Sequence, residues 1–168
     1  TISAYENAVS AAERRAILNN EKKTQVWISD LVGIIPSITG KVELVYEGEQ
    51  EGPFQVAMNL VDKAIRSQFV QYFPNPESLK KRRNTGKPSQ QERPEDNPYR
   101  PIITWFDKGN NLDLSFNTSD KEKSLALYKV DGLHALVMRF FPDSDEKQAA
   151  LLMEFVLHGL ASFSMISK

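Results

Sequence analysis

Cysteine is absent from the 168 residues. That excludes a disulfide framework, a thiolate nucleophile and any cysteine metal ligand; it accords with a reducing compartment, and a cytoplasmic location is the expectation. Histidine occurs only as His134 and His158. Each is set among apolar helix residues and reads as a partly buried ring rather than a metal ligand or a catalytic base. Charge of either sign is also lacking in excess. The formal net charge is −1, so no basic field recruits nucleic acid or an anionic membrane. Long apolar runs are missing too: none reaches the roughly 18–20 uncharged residues that span a bilayer. The nearest, from Ala149 to Ile166, is interrupted by Glu154 and His158 and reads as a buried helix.

Phosphate-cradling loops fail on inspection. A Walker loop needs a glycine five residues before its Gly-Lys pair and a hydroxyl residue after it. Ile35 and Val42 occupy those places around Gly40-Lys41, and Pro88 follows Gly86-Lys87. Asp107 to Asn111 hints at a calcium loop, but Leu112 stands where glycine is required and Thr118 where the bidentate glutamate belongs. A helix C-cap at Gly109 explains the same residues. No catalytic or metal-binding residue is therefore nominated. The one basic run, Lys80-Lys81-Arg82-Arg83, has no interleaved aromatics and lies near the acidic stretch Glu92 to Asp96. It reads as a solvated helix end suited to the dipole, and nucleic acid is not an expected partner.

What is present is a 40% apolar chain with helical periodicity nearly throughout, enough for one medium domain or two small ones. Ser3-Ala4-Tyr5-Glu6 is a capping box, and a first helix is predicted from Ala4 to Asn19 with Tyr5, Ala8, Val9, Ala12, Ala16 and Ile17 on one face. Glu6, Glu13, Arg14 and Arg15 lie largely off that face. A helix that opens at once, behind Thr1 rather than Met, reads as part of a longer protein.

A short helix is expected from Ser29 or Asp30 to Ile35, then a turn or broken helix from Pro36 to Gly40. Lys41 to Tyr46 is open to a short strand or a turn of helix, and an acidic loop runs to Gly52. Pro53 starts a strong helix with Phe54, Ala57, Val61, Ala64, Ile65 and Phe69 in one stripe. Asn75-Pro76-Glu77 starts another that ends in the basic run.

Residues 84–97 contain no hydrophobic side chain, and six of the nine prolines fall between Pro74 and Pro101. That composition predicts a flexible linker. Four further helices are expected: one capped by Asn97-Pro98, one opened by Ser119-Asp120, one opened by Asp131, and a last from Asp143 or Ser144 past Phe163. The last is apolar on nearly every side and suits the central post of a bundle. The fold expected is all-α, with at most one short β element.

Two segments carry a resemblance to a known family. Thr1 to Asn19, with its Ala12-Glu13-Arg14-Arg15 core, resembles the first helix of the lid that follows the nucleotide-binding core in AAA+ ATPases of the magnesium-chelatase type. Ile28 to Phe73, especially Ile35 to Leu44 and Tyr46 to Glu49, is similar to the segment that comes next in bacterial members. Residues 98–168 look like the end of the same proteins.

The resemblance implies a lid-like helical region over 1–83, the linker 84–97 and a C-terminal helical bundle over 98–168. It further implies a parent ATPase that uses ATP and Mg, works as a ring of subunits and remodels a partner protein. The Walker motifs, sensor 1, the arginine finger and the sensor-2 arginine would all precede Thr1. Arg14 and Arg15 do not match the sensor-2 position; they are the candidates for nucleotide or inter-subunit contact, against a plain exposed face. The alternative reading is a free-standing helical interaction module with no ATPase attached.

Overall fold

The computed structural model describes residues 2–41, 51–78, 97–115 and 117–167. Among them regular structure is helical and no strand occurs. The all-α expectation holds for these residues. The ambiguous stretch 42–46, the acidic loop up to residue 50, the basic run 80–83 and all of 84–97 except Asn97 lie outside them. No helix among the described residues is long and apolar enough to cross a membrane.

The chain forms two compact units: Thr1–Ala64 with Asp113–Leu125, and Ile65–Leu112 with Ala126–Lys168. Each draws residues from both sides of 84–97, so the units differ from the sequence-based division into 1–83, 84–97 and 98–168. Packing partners, not chain order, set the grouping. Arg15 takes Asp120 as a partner, while Phe69 takes Phe155 and Phe163.

The first unit is built on α1 (Ile2–Leu18). The stripe foreseen along it is only partly buried. Ala8, Ala12 and Ala16 are enclosed, whereas Tyr5 and Ile17 stay 72% and 75% exposed. A 3-10 helix, Ile28–Ile34, packs on α1. Small residues permit that approach: a Cβ on Gly33 would stand 2.8 Å from the Ala11 Cβ and 3.2 Å from the Asn7 carbonyl oxygen. The 3-10 helix runs into α2 (Ile35–Thr39), whose first turn holds Pro36, where no amide donor is needed.

Next comes α3 (Pro53–Tyr72), which begins in this unit and continues into the other. Ala57 is buried but Phe54 is 58% exposed, outside the core the stripe assigned it. The unit closes with the start of α5 (Asp120–Tyr128). Ser119 and Glu122 cap that helix reciprocally: the Glu122 amide donates to Ser119 Oγ at 3.3 Å, and the Ser119 amide to Glu122 Oε2 at 3.2 Å.

The second unit has an aromatic core. Phe69 lies within 6.0 Å, centroid to centroid, of Phe73, Tyr99, Phe155 and Phe163. Its helices are the end of α3, α4 (Arg100–Asp107), the end of α5, α6 (Leu133–Phe140) and α7 (Glu146–Ser162). Gly109 caps α4 at a φ of +84, as the helix-end reading of that glycine required.

α7 begins two or three residues later than foreseen. Asp145 is its cap because Gln148 answers it: the Gln148 amide donates to Asp145 Oδ1 at 2.8 Å and the Asp145 amide to Gln148 Oε1 at 3.2 Å. Eight residues of α7 are buried, from Ala149 to Leu160, and Gly159 is one of them because the Phe69 ring occupies the space of its missing side chain.

Candidate functional site

The only residues nominated from sequence lie on α1, and the structure separates them. Arg14 is exposed and forms no ion pair among the described residues. Arg15 is 1% exposed, which corrects the expectation that both arginines share an outward face. Ala8, Ala12 and Ala16 leave room on the buried side of α1. Arg15, seven residues after Ala8 and so on the same side of the helix, is buried with them.

Five groups receive it. Nε donates to Asp30 Oδ1 at 3.1 Å and Nη2 to Asp30 Oδ2 at 3.0 Å, a two-pronged pair. Nη2 also meets Thr24 Oγ1 and the Gln25 carbonyl, each at 3.0 Å. Nη1 donates to Asp120 Oδ1 and lies 3.9 Å from Glu21 Oε2. Burial works against the charged guanidinium, but the hydrogen bonds and charges of Asp30, then Asp120, outweigh it and raise its pKa further.

The acceptors are themselves held. Asp30 Oδ2 accepts from the Trp27 amide at 2.9 Å, fixing the entry to the 3-10 helix. Asp120 accepts from Trp27 Nε1 at 2.7 Å and from the Thr24 hydroxyl at 3.0 Å, while its own amide donates to Glu21 Oε1 at 3.0 Å. Lys123, fully buried, donates to Ser29 Oγ and stands 5.5 Å from the centre of the Trp27 ring. At the α5 end, Ser119 hydroxyl and amide donors hold the Glu122 carboxyl below its ordinary range.

The arrangement fixes position. It ties α1, the 24–30 segment and the start of α5 into one piece, with the guanidinium donors turned inward. Sequence reasoning missed Thr24, Trp27, Asp30, Asp120 and Lys123 as parts of one cluster. Asp30 and Asp120 each carried a local signal as helix-start residues, but nothing in the sequence joined them.

A cleft of about 480 Å³ lies beside this cluster, between α1 and residues 21–26. Ala12 and Ala16 form its buried floor, Val9, Ile17 and Val26 add apolar surface, and Lys22 and Lys23 are exposed along it. His134 is exposed with its ring 5.0 Å from Tyr128, and His158 is half-buried on α7. Among the described residues no group of three or more metal-ligating side chains is gathered.

No family profile, no curated protein and no solved structure matches this chain.

Proposed function

We propose that the chain is the C-terminal lid and accessory region of an AAA+ ATPase of the magnesium-chelatase type, itself non-catalytic. In this role it couples ATP hydrolysis in a subunit ring to remodelling of a partner protein. One observation carries the reading beyond the resemblance. The Ala12–Arg15 core that resembles the lid's first helix is also the point where Arg15 locks three segments of the first unit together. A lid that transmits nucleotide state has to move as a body. A buried, doubly paired guanidinium favours one arrangement, because breaking it leaves uncompensated charge in the interior.

On this reading Arg14 and Glu13, both exposed, face the neighbouring subunit or the nucleotide region. Arg15 acts behind them as a positioning residue. ATP and Mg belong to the domain that would precede Thr1.

A helical interaction module without ATPase is the second reading. It is favoured by the exposed apolar residues of α1, Ile2, Tyr5 and Ile17. The coding sequence upstream of Thr1 discriminates the two: the lid reading requires a Walker loop there, and full-length protein that turns over ATP while residues 1–168 alone do not. A start codon immediately upstream, or turnover by residues 1–168 alone, overturns it.

A further inference from the structure

We infer that residues 1–78 and 97–168 are two complementary pieces that hold together without the peptide connection between them, through the Arg15 cluster in one unit and the Phe69 cluster in the other. Each compact unit takes residues from both sides of that connection, so neither piece completes a unit alone. In the first unit Asp120 comes from the later piece and the groups that hold it from the earlier one. Its carboxylate accepts from Arg15, from the Thr24 hydroxyl at 3.0 Å and from Trp27 Nε1 at 2.7 Å, and its amide donates to Glu21 Oε1 at 3.0 Å. Arg15 and Trp27 are both buried, so parting the pieces takes this acceptor from two enclosed donors. Lys123, also from the later piece, is fully buried, with Nζ 5.5 Å from the centre of the Trp27 ring.

The second unit repeats the pattern with apolar surface. Phe69, from the earlier piece, is fully buried against Tyr99, Phe155 and Phe163 of the later one, at 6.0, 5.8 and 5.8 Å between ring centres. Gly159 fits the later piece to that ring, since a Cβ there would stand 2.1 Å from Phe69 Cδ2. Buried aromatic anchors in shaped recesses carry most of the energy at interfaces between separate chains. The borders of the connection are tied as well: the Tyr99 hydroxyl donates to the Pro74 carbonyl at 2.6 Å. Residues 84–97 have no apolar side chain to give to either core. The connection therefore serves the association by keeping each piece at high effective concentration for the other. It can be cut by a protease, or lengthened by insertion, without dismantling either unit. Only contacts within residues 2–78 and 97–168 enter here, so the inference holds or fails independently of the ATPase reading.

A site-specific protease sequence inserted between Gln90 and Gln91 of the full chain tests this. After complete cleavage the two pieces should co-elute at the position of the uncut chain and keep its near-ultraviolet circular dichroism. The melting temperature of the cut protein should rise with its concentration, as for any complex of separable partners. Asp120→Ala should raise the dissociation constant of the cut complex about tenfold or more, through the lost charged hydrogen bonds. Phe163→Ala should do the same through lost burial, and Lys121→Ala, at an exposed position, should change it less than about twofold. Wild-type pieces that elute apart, precipitate or lose the near-ultraviolet signal on cleavage overturn the inference outright, whatever the variants do. If the pieces stay together but Asp120→Ala or Phe163→Ala matches Lys121→Ala, the association does not run through that cluster and the inference fails there too.

Discussion

Arg15 and Asp30 meet through two hydrogen bonds of 3.1 and 3.0 Å, and both side chains are only 1% exposed. A pair so enclosed is costly to break. Removing one partner strands the other's charge away from water, a loss of about 3–5 kcal/mol. Arg15→Ala should therefore lower stability by that order in a denaturant titration. Arg14→Ala, at an exposed position one residue away, should cost less than about 0.5 kcal/mol. Arg15→Lys should not restore the loss, since an ammonium cannot reproduce the fork that spans both Asp30 oxygens. Equal, small effects at positions 14 and 15 would contradict the burial of Arg15.

The core of the second unit has its own test at Gly159. A Cβ there would stand 2.1 Å from Phe69 Cδ2, so Gly159→Ala forces the ring or α7 to shift. Overpacking of this kind costs about 1–3 kcal/mol. Phe155 meets Phe69, Tyr72 and Phe73 at 5.8, 6.2 and 6.3 Å, and Phe155→Ala should cost about 3 kcal/mol, near the low end for a phenylalanine that is only half-buried. Exposed Lys121, changed to alanine, should cost under about 0.5 kcal/mol. Thermal melts that ranked Lys121→Ala with the other two would remove α7 from the core.

These two clusters mark what the sequence could and could not convey. The helices were legible where a local signal existed: Pro53 before an apolar stripe, Ser119-Asp120 at the start of α5, Gly109 after α4. Near-miss boundaries had a local cause as well. Asp143, Ser144 and Asp145 are all good caps, and the choice fell to the one matched by Gln148. Which side of a helix is buried was less legible, because periodicity defines a face but not what covers it. On α1 the covered side is the one the 3-10 helix reaches, so Arg15 went in and Tyr5 and Ile17 stayed out. The Arg15 cluster itself was invisible, since Asp120 is 105 residues away and nothing near either residue announces the other.

Alkaline pH should act through Tyr99. Its ring is buried and its hydroxyl donates to the Pro74 carbonyl at 2.6 Å; burial raises the phenol well above its ordinary pKa. An acid whose folded pKa is raised keeps its full stabilising effect below the unfolded value, about 10, and loses it as pH climbs beyond that. Unfolding should therefore become easier above about pH 10, and phenolate absorbance from this one of the five tyrosines should rise only with the unfolding transition. Tyr99→Phe should remove that late-ionising fraction. Full, reversible ionisation of every tyrosine in the folded protein would contradict it.

The most direct measurement of the lid role is steady-state ATP turnover and ring assembly of the full-length protein carrying Arg14→Glu. Arg14 is exposed and unpaired among the described residues, so the substitution should leave the melting temperature nearly unchanged. If α1 faces a neighbouring subunit, the reversed charge should weaken assembly or turnover, since exposed charges set the register of partners more than they add stability. Wild-type assembly and turnover in this variant would make Arg14 a solvated residue and take from the lid reading its outward contact; a full-length protein that turns over no ATP even unaltered would contradict the reading altogether.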